Sequence, residues 1–364
     1  MTSSPFSTPV QPDGEALVRC IRRQGTPDRV HYFELGLDRE VQDEICTRYG
    51  LPGREDPDDL SAHFRRHIAL QRFLGYDYVR AGLLDMALPL KRDVAVDTAA
   101  LQREGGRRFQ DEHVGPITSW EEFEAFQWPD PERDEVYRMF EWCEEHLPDD
   151  MCVLATAGFA HFNEHLSWLM GYETLCYALF DRRDLVRAIS ERLLAISEAA
   201  VRRVLQFGRV RLVFGTDDMG FRSATLISPD DLRAFVLPNH RRIAALVHEA
   251  GHPYLLHCCG NLAQIMDDLI DDVRIDAKHS FEDTIEQVTD AKGTYGRRIA
   301  LLGGIDVDFL CRASEDQVRE RVRRTLDVCQ PGGGYCLGTG NTVANYIPVD
   351  NYLAMMDEGR RYGA

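Results

Sequence analysis

Short apolar or β-branched runs alternate along this chain with longer stretches whose hydrophobic residues recur at helical spacing. Eight such runs, at 29–35, 76–81, 151–158, 211–217, 252–259, 273–277, 299–305 and 334–337, are short enough to be strands. A run that stays apolar without alternation is expected where both faces of a parallel sheet are covered by helices. Helix-start signals follow several runs: Ser228-Pro229-Asp230-Asp231 and Ala313-Ser314-Glu315-Asp316 each put a capping hydroxyl before an acidic first turn. The repeating unit of strand, loop and helix predicts an α/β fold, a (β/α)8 TIM-like barrel with an N-terminal helical extension over 1–28. A doubly wound sheet competes, but no Gly-rich dinucleotide loop follows an early strand. Between 50 and 150 the chain is charged and broken by turn clusters such as Leu51-Pro52-Gly53 and Trp128-Pro129-Asp130-Pro131, so this part is expected to be helical decoration. With no fixed-period repeat and no linker, residues 1–364 are expected to form one barrel domain.

Composition narrows the partners. Sixty acidic against 42 basic side chains give a formal net charge of −18, which repels nucleic-acid phosphates and anionic lipid. No apolar stretch reaches the roughly 18 residues of a membrane helix, and the polar Ser/Thr/Pro N-terminus lacks a signal-peptide core, so a cytoplasmic location is expected. Ten cysteines in such a chain are expected to be reduced thiols, most of them small buried hydrophobes.

In a parallel barrel, catalytic groups gather at the C-terminal ends of strands. Four strand ends here carry chemistry. In His252-Pro253-Tyr254-Leu255-Leu256-His257-Cys258-Cys259-Gly260-Asn261, strand alternation turns His257 and Cys259 to one side and Cys258 to the other. An imidazole and a thiolate can then meet on one ion, although two donors do not fill a tetrahedral shell. The run Val273-Arg274-Ile275-Asp276-Ala277-Lys278-His279-Ser280 delivers Asp276 and, in its outgoing loop, His279. Asp276 can be an oxygen ligand, an orienting partner of His257 or a helix cap. Cys336, in a strand flanked by glycines, can face the same mouth or be a buried hydrophobe. Val213-Phe214-Gly215-Thr216-Asp217-Asp218-Met219-Gly220 ends in adjacent carboxylates suited to acid–base work or to holding a cation.

From about residue 29 onward, and most strongly over 215–363, the chain resembles the uroporphyrinogen decarboxylase superfamily. The carriers, in order, are Thr216-Asp217-Asp218-Met219-Gly220, Ile227-Ser228-Pro229, Leu256-His257-Cys258-Cys259-Gly260, and Gly332-Gly333-Gly334-Tyr335 with Pro348-Val349-Asp350-Asn351-Tyr352-Leu353-Ala354-Met355. The resemblance implies a distorted (β/α)8 barrel. The decarboxylase branch carries an arginine-bearing segment near its N-terminus that holds the carboxylates of a porphyrinogen. Here Val30-His31-Tyr32-Phe33-Glu34-Leu35-Gly36-Leu37-Asp38 offers carboxylates instead, which repel a polycarboxylate.

The other branch contains corrinoid-dependent methyltransferases with zinc on a His-x-Cys pair and a later Cys. His257 and Cys259 match that pair. The third ligand is then Cys336, or lies nearer Asn341 if Leu337-Gly338-Thr339-Gly340 is matched to the family's last strand. Ile275-Asp276-Ala277 resembles the context of an acidic ligand in cobalamin-independent methionine synthase, a related barrel, and so adds Asp276 to the candidates. The resemblance thus implies a zinc-dependent methyltransferase that moves a methyl group between a small methyl ether or thiol and a corrinoid. Its metal ligands would be drawn from His257, Cys259, Asp276 and Cys336, with Asp217 and Asp218 catalytic. Glu34, Met219, His279, Thr339 and Asn341 would line the substrate site. No Asp-x-His-x-x-Gly cobalamin signature occurs in the chain, so the corrinoid would arrive on a partner protein; a homodimer is compatible with the resemblance. The alternative is a cofactor-free decarboxylase of a tetrapyrrole or another carboxylic acid.

Overall fold

A computed structural model describes the chain apart from residues 1–3, 55, 57, 58, 112, 157–159 and 364. In chain order its strands are β1 (His31–Tyr32), β2 (Tyr78–Ala81), β3 (Arg92–Ala95), β4 (Arg107–Gln110), β5 (Cys152–Thr156), β6 (Val210–Thr216), β7 (Tyr254–His257), β8 (Ala277–His279), β9 (Ala300–Leu302) and β10 (Tyr335–Leu337). Eight of them make one sheet in the order β1-β10-β9-β8-β7-β6-β5-β2, with every pairing parallel. Read around a ring, that is chain order, the topology of a TIM-like barrel. The predicted runs each contribute one strand, although the end of the run 151–158 lies outside the described residues.

The ring has a seam. β1 and β2 are the two edges of the sheet, with no ladder between them. Side chains tie them instead: His31 Nδ1 lies 2.7 Å from Asp77 Oδ2, the Glu34 amide donates to Tyr78 Oη at 3.2 Å, and the Arg80 guanidinium donates to the Glu34 carbonyl.

One strand sits later than its apolar run predicts. Residues Asp268–Val273 form a π-helical turn that ends on Arg274 in the left-handed region, φ 66°. The chain therefore becomes extended only at Ala277, and Asp276 lies at the N-terminal end of β8.

The N-terminal extension folds as the helix Gly14–Ile21, capped by the Asp13 carboxylate and burying Leu17, Val18, Cys20 and Ile21. It closes the barrel floor: Gly14 N donates to Asp150 O, and the Cys20 carbonyl accepts from Gly334 N, just before β10. A Cβ on Gly14 would lie 3.0 Å from Cys152 at the start of β5, so the close crossing uses glycine.

Region 50–150 is more than helical decoration. It supplies barrel strand β2 and the helices Leu60–Leu74, Trp120–Ala125 and Arg138–His146, and also an antiparallel hairpin of β3 with β4. The hairpin was not foreseen because its strands are short and largely exposed and lack an apolar face; even Val94 and Phe109 are mostly in solvent. Among the described residues no helix is long and apolar enough to cross a membrane.

Candidate metal centre at the barrel rim

His257 ends β7, paired in register with Thr216 of β6 and His279 of β8. The loops leaving β6 and β7 cross each other backbone to backbone. A Cβ on Gly260, whose φ is 83°, would come within 2.1 Å of the Gly220 carbonyl carbon. Asn261 N donates to Phe221 O at 2.8 Å, and Cys259 N donates to Asp218 Oδ1 at 3.1 Å, so the crossing fixes Asp218 against Cys259.

Three ligand-type atoms converge there. Cys259 Sγ lies 3.2 Å from His257 Nε2, and His257 Nε2 lies 3.7 Å from Asp218 Oδ1, with all three ligand atoms within 4.8 Å of one another. Donors sharing one tetrahedral zinc at ordinary bond lengths stand about 3.4–3.6 Å apart, and the His257–Cys259 and His257–Asp218 separations lie within a few tenths of an ångström of that. Imidazole, thiolate and carboxylate are also the donor types zinc takes.

The surroundings orient these donors. His257 Nδ1 faces His279 Nδ1 at 2.8 Å. For Nε2 to offer its lone pair to a metal, Nδ1 must hold the proton and donate it to His279. His279 is then protonated on Nε2, which is buried against the Thr339 carbonyl without a well-formed hydrogen bond. Burial, reinforced by nearby cations, pushes both imidazoles down, His257 to about 3, so both are neutral. Burial and the Asp218 charge push the Cys259 thiol up to about 12 when no cation is present. Asn341 Nδ2 donates to Cys259 Sγ at 3.4 Å, and Ser280 Oγ donates to it at 3.5 Å.

The other sequence candidates separate by height in the barrel. Asp276 is not at the rim: its Oδ2 accepts from Tyr254 N at 2.8 Å and meets His248 Nε2 at 2.7 Å, at the floor end of β7. Cys336 also belongs to the floor, where its thiol meets that of Cys20. Neither stands near His257, and the residue after the last strand that does approach Cys259 is Asn341.

Asp217 is a correction of a different kind. Fully buried, it accepts from Phe162 N at 3.0 Å, Asn163 N at 2.9 Å and Glu164 N at 2.9 Å, and meets His240 Nε2 at 2.8 Å. Three of these contacts hold the first amides of the helix Phe162–Met170, and the fourth holds His240. Its neighbour Asp218 alone faces the rim. Met219 packs in the hydrophobic core, and His279 is fully buried beside His257.

Glu34 and Thr339 are buried against each other. The Glu34 carboxyl accepts from Thr339 N at 2.9 Å, and the Thr339 hydroxyl touches both Glu34 Oε2 and the Asn341 carbonyl. One hydroxyl proton cannot serve two acceptors. The contact is satisfied when Glu34 is protonated and donates to Thr339 Oγ, which then donates to Asn341. Burial raises Glu34 to about 8, in keeping with this.

Because its folded pKa lies above its ordinary value of 4.5, the folded chain keeps a proton that the unfolded chain releases. Stability is therefore lost as pH rises from about 4.5 to 8, by up to about 1.4 kcal/mol per pH unit. Glu34→Gln, whose amide reproduces the donating form, should gain stability relative to wild type as pH climbs from 5 to 8. Thermal unfolding across that range measures the difference, and a constant gap would show that Glu34 is ionised.

The motif His161-Phe162-Asn163-Glu164-His165 went unused in the sequence, although it follows strand β5. His161 Nδ1 lies 2.8 Å from Glu164 Oε2, and its Nε2 lies 2.7 Å from Thr216 Oγ1, beside His257 in register. Burial raises the Glu164 carboxyl above the ordinary range. Imidazole and carboxylic acid in contact beside the metal cluster form a proton-handling pair.

A parallel eight-stranded barrel with His, Cys and Asp gathered at the C-terminal ends of its strands has the arrangement of a barrel enzyme with a candidate metal site. Residues 112–362 match the model of the family described as uroporphyrinogen decarboxylase (URO-D), and the chain belongs to that family. Over 169 residues it is 31% identical to a methylated-thiol–coenzyme M methyltransferase of Methanosarcina mazei. That alignment spans 45% of this chain and 43% of the relative.

Proposed function

We propose that this protein is a zinc-dependent methyltransferase that moves a methyl group between a small thiol or methyl ether and a corrinoid carried on a separate protein. The observation that carries the proposal is the convergence of His257 Nε2, Cys259 Sγ and Asp218 Oδ1 at the rim. The named activity of the Methanosarcina mazei relative supports it.

These three side chains would hold the ion, leaving one tetrahedral position for substrate. Zinc there would supply a Lewis acid that lowers the pKa of a thiol or polarises an ether oxygen. The chain does the rest. His279 holds His257 in the tautomer that presents Nε2, and Asn341 and Ser280 donate to the Cys259 sulfur and so spread its charge. The His161–Glu164 pair takes the proton from a substrate thiol or returns one to a departing oxygen. Arg80, at the end of β2, puts positive charge within electrostatic reach of His257 and favours a substrate with an anionic end.

The test is metal analysis of the purified protein, followed by methyl transfer from methylcobalamin to small thiols. One zinc per chain is expected, lost in Asp218→Ala and kept in Asp276→Asn and Cys336→Ala, with methyl transfer following the metal. Carbon dioxide released from uroporphyrinogen by a metal-free preparation would overturn the proposal in favour of a decarboxylase.

A further inference from the structure

The barrel floor carries a second group of reactive side chains, remote from the rim. Cys20, on the helix Gly14–Ile21, places its thiol 3.3 Å from the carbonyl of Tyr335, the residue next to Cys336 on β10, and the Cys20 and Cys336 side chains lie within interaction range. The backbones are already joined at this point, because Gly334 N donates to Cys20 O at 2.9 Å. β10 is paired with β1 so that Cys336 stands opposite His31. His31 Nδ1 is held by Asp77 at 2.7 Å, and Asp77 is fixed in turn by Asp13 N at 2.8 Å and by Arg29. A cavity of about 520 Å³, lined by Gln11, Asp13, Arg19, Cys20, Arg29 and His31 among others, opens onto the group. An imidazole held by a carboxylate near a thiol favours the thiolate, and a second thiol nearby supplies a resolving partner.

We propose that Cys20 and Cys336 form an oxidisable dithiol, a second reactive site at the opposite end of the barrel from the metal cluster, whose oxidant is a hydroperoxide. The Cys20 thiolate attacks one peroxide oxygen; the O–O bond breaks, and the departing oxygen leaves as water or an alcohol after taking a proton. The Cys336 thiol then displaces water from the Cys20 sulfenic acid, and the S–S bond forms. The two sulfurs together lose two electrons, and the peroxide gains them. Contact with Cys336 and the charge of His31 both hold the Cys20 thiol below its usual range, which favours the first step. All ten cysteines are free thiols in the structure, so the reduced state is the one described. The bond would tie the floor helix covalently to β10, and it would do so without moving either backbone far.

The experiment exposes the folded wild-type protein to equimolar hydrogen peroxide, alkylates remaining thiols after denaturation, and maps the peptides without reduction. A Cys20–Cys336 cross-link that dithiothreitol reverses is expected, and its formation should be at least tenfold slower in His31→Gln. In Cys336→Ser, Cys20 should accumulate as a sulfenic acid that dimedone traps. The proposal is overturned if Cys20 stays a free thiol while Cys259 or Cys176 oxidises, if it joins Cys152 instead, or if it stops at the sulfenic acid with Cys336 present and free. The wild-type map decides the question even if neither variant folds.

Discussion

Cys259→Ala should strip the protein of its metal and lower methyl transfer by at least a thousandfold while leaving it folded. In the proposed site the residue is one of three donors, so its loss would remove a bond to the ion itself. Loss of a mere orienting partner of a ligand already costs about 10–100-fold in metal affinity or activity. The remaining His257 and Asp218 leave two open positions, a weak site for zinc. The fold should tolerate the change: Cys259 is only partly buried, and its amide, which holds Asp218, survives in alanine. Metal content by elemental analysis, turnover and a thermal scan measure the three effects together. A variant that binds zinc stoichiometrically and turns over like wild type would remove the basis of the proposed function. pH offers a further check. The free thiol titrates at about 12 and His257 is already neutral, so zinc binding displaces the proton of Cys259 and none from His257. Through this group, apparent affinity should rise about tenfold per pH unit near neutrality.

Asp217→Ala should be the most destabilising single change near the site. It removes a fully buried carboxylate and strands three helix-initiating amides together with His240, whose Nδ1 is bound to Tyr254 Oη at 2.8 Å. Taking one member from such a buried network costs about 3–5 kcal/mol. Set against a total stability of about 5–15 kcal/mol, that is about a fifth or more of what holds the chain folded. A fall of roughly 5 °C in the unfolding midpoint is expected, with poor recovery of folded protein. If the variant instead melts with wild type but loses turnover, Asp217 acts in the chemistry after all. The two adjacent aspartates thus make opposite predictions: Asp218→Ala is expected to lose metal and keep its stability, and Asp217→Ala to lose stability.

That division marks where the sequence stopped being informative. Apolar runs were enough to find the barrel strands, because a strand covered on both faces has little freedom in composition. Period-two alternation was enough to pair His257 with Cys259 and to set Cys258 aside. Adjacent residues such as Asp217 and Asp218, however, read as a unit although the backbone turns them to different surroundings. Height along the barrel axis was also hidden. Asp276 moved from rim to floor because a π-helical turn delayed its strand by a few residues, and nothing in the composition of 268–276 announces that turn. Cys336 does face the interior, but the interior has two ends, and the N-terminal helix claims the lower one. His161 and Glu164 were legible in principle, since a His and a Glu three residues apart directly after a strand and at a helix start lie at the catalytic face.

The seam between β1 and β2 has a consequence for the behaviour of the protein in a crowded cell. A closed barrel exposes no strand edges, whereas an open ring exposes two, each able to recruit a foreign strand. Here the edges are short and carry Arg29, His31, Asp77 and Arg80, bonded across the gap. An intruding strand would have to break those ion pairs and leave Asp77, wholly buried, without its partners. The seam therefore guards itself against aggregation, and neutral substitutions along it should surface as loss of solubility before any loss of catalysis.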